Sequence, residues 1–286
     1  MRSGISELGR KVAVPYIAMW RVLVLCPLVL ASGFGTDVQE IIARSVEANQ
    51  EDWKQAPNYA FVERDADSKR GAAKVVKTHR VLMIDGSQYS QLIAVNDQPL
   101  SPGSAAEEER KLEKEIERRR KESVRERSRR VTKYERARSQ DHALLSEMVR
   151  GFEYQLSGEM ELDGHKVWVL KASPKPGYVP ASSEAKMLTG MRGTLWIDQA
   201  TYQWVKVEAE VFRPVSMYGF IAKVEPGTRF ILEQQPVSEN VWLPKRLQVT
   251  VRATALGLFN ESSTEDDSFR NYQPMPGALA EAVGTH

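Results

Sequence analysis

The chain has 286 residues, 42% of them hydrophobic and 27% charged, with a formal net charge of +2. That length is enough to bury a sizeable core in one large β domain or two ordinary ones. The near-neutral balance removes any general electrostatic reason to expect nucleic acid or an acidic substrate.

Residues 1–33 read as an export signal. Arg10, Lys11 and Arg21 precede the short apolar run Val22–Leu30, and Ala31-Ser32-Gly33 supplies small residues for cleavage after Gly33. The run falls short of the roughly 20 apolar residues that span a bilayer. The alternative is a short N-terminal anchor in the inner membrane. "MWRVLVL" from Met19 would make a complete signal by itself, so the start codon reads as Met1 or Met19. Cys26 follows Leu25, where lipoprotein acylation wants a small residue, so it is expected to leave unmodified with the signal. The mature chain then holds no thiol for a disulfide, a nucleophile or a metal. The compartment this implies is a bacterial periplasm.

"TDVQEIIARSVEANQEDWKQAP" reads as a helix capped by Asp37, with Val38, Ile41, Ile42, Val46 and Trp53 at helical spacing and Pro57 ending it. Strand-like runs follow: a short "NYAFVERD", then "AKVVKTHRVLMID", which ends at the hairpin signal Asp85-Gly86, then "SQYSQLIAVNDQ". A charged insertion at about 104–150 comes next. Its first part, rich in Glu, Lys and Arg, reads as one helix. Leu112, Ile116, Val124, Val131 and Tyr134 form its sparse apolar stripe, and "DHALLSEMVRGF" reads as a second helix. So narrow a stripe predicts a solvent-exposed helix that adds little to the core.

From Phe152 the strands return. "GFEYQLSGEMEL" places Phe152, Tyr154 and Leu156 on one face, and Asp163-Gly164 makes a turn. "HKVWVLKASP" places Trp168 and Leu170 together, against Val167 and Val169. "SSEAKMLTGM" reads as a short helix or lid loop. The hairpin "GTLWIDQATYQWVKVEAEV" puts Val205, Val207, Ala209 and Val211 on one face and Lys206, Glu208 and Glu210 on the other. Phe230 and Leu232 in "GTRFILEQQP", and Leu247, Val249 and Val251 in "LQVTVRA", extend the apolar set. A last weak strand lies near "DDSFRNYQ". Half-polar strands in succession predict an antiparallel sheet with one wet face and an α+β class.

No catalytic arrangement emerges: the sequence holds no Gly-rich phosphate loop, no nucleophile elbow, no zinc motif and no Cys-x-x-Cys. His79, His142, His165 and His286 are scattered and read as surface residues. No catalytic residue, metal or cofactor is expected, and the protein is not expected to be an enzyme. Residues 105–140 hold 14 Lys or Arg and 9 Glu, a net of +5. Glu113–Glu117–Lys121 and Glu122–Glu126–Arg130 stand four apart and support an exposed helix by ion pairing. That reading is preferred over contact with anionic lipid headgroups, and over DNA.

"LDGHKVWVLKASPKP", followed by "RGTLWIDQATYQWVKVEAEV" and then by long amphipathic strands, resembles the LolA-like superfamily of periplasmic lipoprotein carriers and their relatives. Leu195-Trp196-Ile197-Asp198, Thr201 and Trp204-Val205-Lys206-Val207-Glu208 carry the resemblance, which spans about residues 36–273. It implies a curled antiparallel half-barrel covered by an N-terminal helix and inserted helices, binding lipid or acyl chains between them. The chain departs from the carriers in its long charged insertion, and no arginine matches the one that latches a carrier's lid.

The expected organisation is therefore a signal peptide at 1–33, one domain at 36–273 and a flexible tail at 274–286. The candidate ligand-binding face is Phe152, Tyr154, Leu156, Trp168, Leu170, Val205, Val207, Phe230, Leu232, Leu247, Val249 and Val251. Its expected partner is a lipid or a lipoprotein acyl chain, not nucleic acid. Two alternatives stay open: a filled core with no cavity, and a sensor module whose charged helices dock an envelope membrane protein.

Overall fold

The computed structural model describes residues 37–69, 73–182, 184–217, 222–255 and 259–275. The expected signal peptide, Cys26, His286 and nearly all of the expected tail lie outside them.

Asp37 caps the first helix, α1 (Val38–Gln55), accepting from the Gln39 amide at 2.9 Å. A 3-10 turn at Ala56–Asn58 leads into β1 (Tyr59–Lys69), β2 (Val75–Ile84), β3 (Ser87–Val95) and the two-residue β4 (Gln98–Pro99). The insertion forms a helical hairpin of α2 (Pro102–Arg120) and α3 (Val124–Gly151). Next come β5 (Phe152–Leu162), β6 (His165–Pro174), a 3-10 helix at Glu184–Gly190, β7 (Met191–Asp198) and β8 (Trp204–Val211). The chain ends in β9 (Val215–Met217), β10 (Ala222–Val224), β11 (Arg229–Ser238), β12 (Val241–Ala255) and β13 (Phe259–Pro274).

All thirteen strands belong to one antiparallel sheet, ordered β4-β3-β2-β1-β13-β12-β11-β8-β7-β6-β5, with β10 and β9 attached beside β12. The sheet is open rather than closed into a barrel, and with its helices it is the expected α+β arrangement. Pairing of β1 with β13 joins the two ends of the domain. Two-residue turns set the hairpins: Asp85 and Gly86 have φ of 46° and 82°, and Asp163 and Gly164 have 52° and 83°. Such left-handed pairs match the strand twist. At Gly86 a Cβ would also lie 3.1 Å from Val131 on α3, so space and torsion both select glycine.

Three expectations need correction. The insertion breaks at residues 121–123 rather than near 140, and α3 runs unbroken to Gly151. The cause is a reciprocal cap: the Glu126 amide donates to Ser123 Oγ at 3.3 Å, and the Ser123 amide donates to Glu126 Oε2 at 2.9 Å. The last strand is not weak: β13 has 16 residues and lies inside the sheet between β1 and β12. Finally, Val205 leaves the predicted face. Pairing jumps from Trp196↔Lys206 to Ile197↔Trp204, so Val205 is the extra residue of a bulge. It packs with Val167 and Trp242, on the side opposite Trp168 and Leu170.

Candidate functional site

The inner face is the one that α1 covers. There Ile41 and Ile42 join Leu170, Leu195, Ile197, Val207 and Val211 in one cluster, with Ala185 and Leu188 of the 3-10 helix. Two cross-strand rows define this face. The first runs Leu156–Leu170–Leu195–Val207–Leu232–Leu247 and ends at Asp267. The second runs Tyr154–Ala172–Gly193–Ala209–Phe230–Val249 and ends at Glu265. Gly193 is required in the second row, since a Cβ there would sit 2.6 Å from the Glu208 carbonyl oxygen.

The structure thus brings eleven of the twelve predicted residues onto one face, with Val205 the exception. The face is not uniform. Phe152, Trp168, Leu170 and Val207 are buried beneath α1 and the 3-10 helix, as packed core. Phe230, Leu232, Leu247, Val249 and Val251 stay partly exposed. The face is therefore packed core at β6 and β8 and partly exposed at β11 and β12.

Farther along, α3 roofs the sheet. A cavity of about 200 Å³ lies there, lined by Tyr59, Phe61, Val81, Met83, Tyr134 and Phe269 among others. Phe61 meets Phe269 and Tyr272 with ring centroids 5.9 and 5.3 Å apart. Phe269 stands two residues along β13 from Asp267, where the first apolar row ends. A larger cavity, about 650 Å³, opens on the opposite, polar face. In its lining Arg192 meets Glu210 at 2.6 Å, and Lys171 donates to Thr194 Oγ1 at 2.9 Å.

Sequence reasoning missed the carboxylates on the inner face. Glu63, Asp65 and Asp67 of β1 stand beside Glu265 and Asp267 of β13. Asp267 is 7% exposed and its Oδ1 has no hydrogen-bond partner. Burial, and then the charges of Glu265, Asp65 and Glu63, push its carboxyl up to about 7. Burial with like-charged neighbours raises Glu63, Asp65 and Glu265 as well. The basic side chains in register on β2 are Lys77, opposite Asp65, and His79, opposite Glu63; burial lowers the His79 pKa. The signal was present: Glu63, Asp65 and Asp67 recur every second residue, in phase with Phe61.

The insertion is anchored by cations as well as by its apolar stripe. Leu112 is buried, whereas Val124 is 88% exposed. Arg119 reaches the β2–β3 hairpin, and Arg130 joins it there, donating to Ser87 Oγ at 2.7 Å and to the Asp85 carbonyl at 3.1 Å. Glu122 bridges Arg118 and Arg130 at 2.8 and 2.7 Å. Among the described residues no three His, Cys, Asp or Glu side chains are placed to hold a metal ion.

No family model matches the chain, and no curated protein matches it. Solved structures similar to it include a DUF1329 family protein from Desulfovibrio piger, with a TM-score of 0.33 and 12% identity, covering 87% of this chain and 97% of that one. A putative outer membrane lipoprotein-sorting protein domain from Vibrio parahaemolyticus has a TM-score of 0.32 and 10% identity, covering 85% and 98%. A LolA superfamily protein from Nitrosomonas europaea has a TM-score of 0.29 and 11% identity, covering 82% and 92%.

Proposed function

We propose that the protein is an exported, non-catalytic protein of the cell envelope that binds a lipid or the acyl chain of a lipoprotein on the inner face of its sheet. One observation carries the reading. The first apolar row is buried at Leu170, Leu195 and Val207 over β6–β8, whereas both rows stay partly exposed over β11 and β12, at Phe230, Leu232, Leu247 and Val249. Large apolar side chains left open along a continuous strip lose their burial energy unless something covers them. The cavity beneath α3, about 200 Å³, is smaller than the roughly 300–1,000 Å³ of ordinary ligand pockets. It suits a stretch of hydrocarbon rather than a whole lipid, whose remainder would lie on the strip. The export signal read from residues 1–33 and the resemblance to periplasmic carriers agree with this role.

Native mass spectrometry of the protein recovered from the periplasm tests the reading. The expected result is a bound phospholipid or fatty acid, lost in Val249→Asp while the variant keeps its circular dichroism and melting transition. A new carboxylate on that strip disfavours hydrocarbon, because it must be solvated or protonated. A wild-type protein that carries no lipid and takes up no fluorescent fatty acid overturns the reading.

A further inference from the structure

The α2–α3 hairpin turns its cations in two directions. On the sheet side Arg119, Arg130 and Arg138 are engaged: Arg119 and Arg130 at the β2–β3 hairpin, Arg138 with Glu135 and the Trp53 carbonyl. On the other side Arg125, Arg129, Lys133 and Arg136 are exposed. None of these four has an ion pair or a side-chain hydrogen bond among the described contacts. At about 100° per residue they fall within an arc of roughly 80°, and they extend about 17 Å along the helix. Val131 and Tyr134, which face the sheet, lie on the opposite side. The nearest acids are occupied elsewhere, Glu126 in the Ser123 cap and Glu135 with Arg138. At the hairpin tip Val124 is 88% exposed beside Arg125, and Arg120 at the end of α2 is exposed as well.

We propose that this stripe docks the protein on the surface of an anionic phospholipid bilayer. Four unneutralised cations in a straight line match a flat field of negative headgroups better than a discrete acceptor, which would need a concave or directional site. Each basic residue near such a surface contributes about a five-fold gain in partition. The attachment is thus reversible and sensitive to salt. Because Arg119 and Arg130 fasten the hairpin to the sheet, docking the stripe also orients the sheet. The site is separate from the acyl-chain strip, so either can fail without the other.

Vesicle flotation of the periplasmic protein tests this, using phosphatidylcholine vesicles with and without 30% phosphatidylglycerol. The test variant is Arg125→Gln/Arg129→Gln/Lys133→Gln/Arg136→Gln. The control is Lys54→Gln/Lys175→Gln/Lys186→Gln/Lys245→Gln, which changes net charge equally at exposed positions elsewhere. The expected result is a loss of about 100-fold or more in partition to anionic vesicles for the stripe variant, from the same five-fold gain per residue. The control should change little, and raising salt from 50 to 300 mM should abolish wild-type binding. An unchanged stripe variant, or an equal loss in the control, overturns the proposal. So does retention on heparin through the stripe with no partition to anionic vesicles, since the partner is then a soluble polyanion. If the quadruple variant does not fold, Arg129→Glu alone must lower partition at least five-fold for the proposal to stand.

Discussion

Arg119 on α2 buries its guanidinium against the β2–β3 hairpin, where Nη1 donates to the Ile84 carbonyl at 2.6 Å and to the Ser87 carbonyl at 2.8 Å. Glu115, one turn earlier, meets the same guanidinium at 2.6 Å. Hydrogen bonds to Arg118 and Arg119 hold the Glu115 carboxyl down to about 2. The contact fastens a long insertion to an edge of the sheet through main-chain carbonyls, which substitution on the strand side cannot remove. Replacing Arg119 by Met keeps the stem and deletes the donors. It should cost about 2–4 kcal/mol, because carbonyls shielded by α2 lose a charged partner. Urea denaturation measures this as a lower midpoint, and Arg119→Lys should recover only part of the loss, since one ammonium cannot also replace the Nε donation to Glu115 and the Nη2 donation to the Gln88 carbonyl. A midpoint unchanged in Arg119→Met means that the hairpin is not held there.

Val207 and Val249 stand on the same face two strands apart, yet they should respond differently to the same substitution. Val207 is 2% exposed, between Leu195 and Leu232 in the cluster with Ile41 and Leu170. Val249 is partly exposed between Phe230 and Glu265. Val207→Asp should abolish the cooperative melting transition, because an unpaired carboxylate in packed core costs several kcal/mol. Val249→Asp should leave a folded protein with a modestly lower Tm. Loss of fold in both would show the strip over β11 and β12 to be as tightly packed as that over β6–β8.

Much of this was legible because it is local. Asp85-Gly86 and Asp163-Gly164 set two turns, and strict alternation assigned Leu170, Leu232 and Leu247 to one face. What failed was non-local or broke the period. Val205 looks like a member of the Val207–Val211 set, and only the pairing with β7 reveals the bulge. The Ser123–Glu126 box was readable but was masked by uniformly helical composition on both sides. β13 looked weak because it is acidic, yet its neighbours β1 and β12 supply backbone partners along its length. The carboxylates of the inner face are hidden from sequence because charge normally marks a solvent-facing position. Alternation alone places Glu265 and Asp267 on one side and Asp266 on the other, where Arg246 meets it at 2.8 Å.

That acidic end makes stability depend on pH. Asp267 titrates near 7 in the folded protein, against 3.8 in an unperturbed chain. The folded state therefore binds the proton more readily than the unfolded one. Its penalty is fully present above pH 7 and disappears as pH falls toward 4. Asp52, pushed up to about 6 by burial, acts in the same direction over a lower window. Scanning calorimetry should find a higher Tm at pH 5.5 than at pH 8. Asp267→Asn should raise Tm at pH 8 and flatten the profile between 8 and 6, with the Asp52 slope remaining below 6. A wild-type Tm that falls between pH 8 and 5.5 would contradict the placement of Asp267 among buried acids.

The cavity beneath α3 offers a test that couples stability to the proposed ligand. Phe61 forms one wall, with its ring 5.9 Å from Phe269 and 5.3 Å from Tyr272. Tyr134 of α3 forms another, its hydroxyl 3.5 Å from Met83 Sδ. Phe61→Ala removes a half-buried ring and should destabilise by about 2–4 kcal/mol, the lower part of the range for aromatic truncation because the site is not fully enclosed. It also enlarges a void that begins at about 200 Å³. An empty apolar space forfeits dispersion contacts that a hydrocarbon can restore. A long-chain fatty acid should therefore raise the Tm of Phe61→Ala by more than that of wild type, since binding to the folded state stabilises by mass action. Tyr134→Ala should behave alike, whereas Val207→Ala, beneath α1, should gain nothing extra from the fatty acid. Equal shifts in all three variants would place the acyl chain elsewhere on the inner face, and no shift in any of them would count against acyl binding altogether.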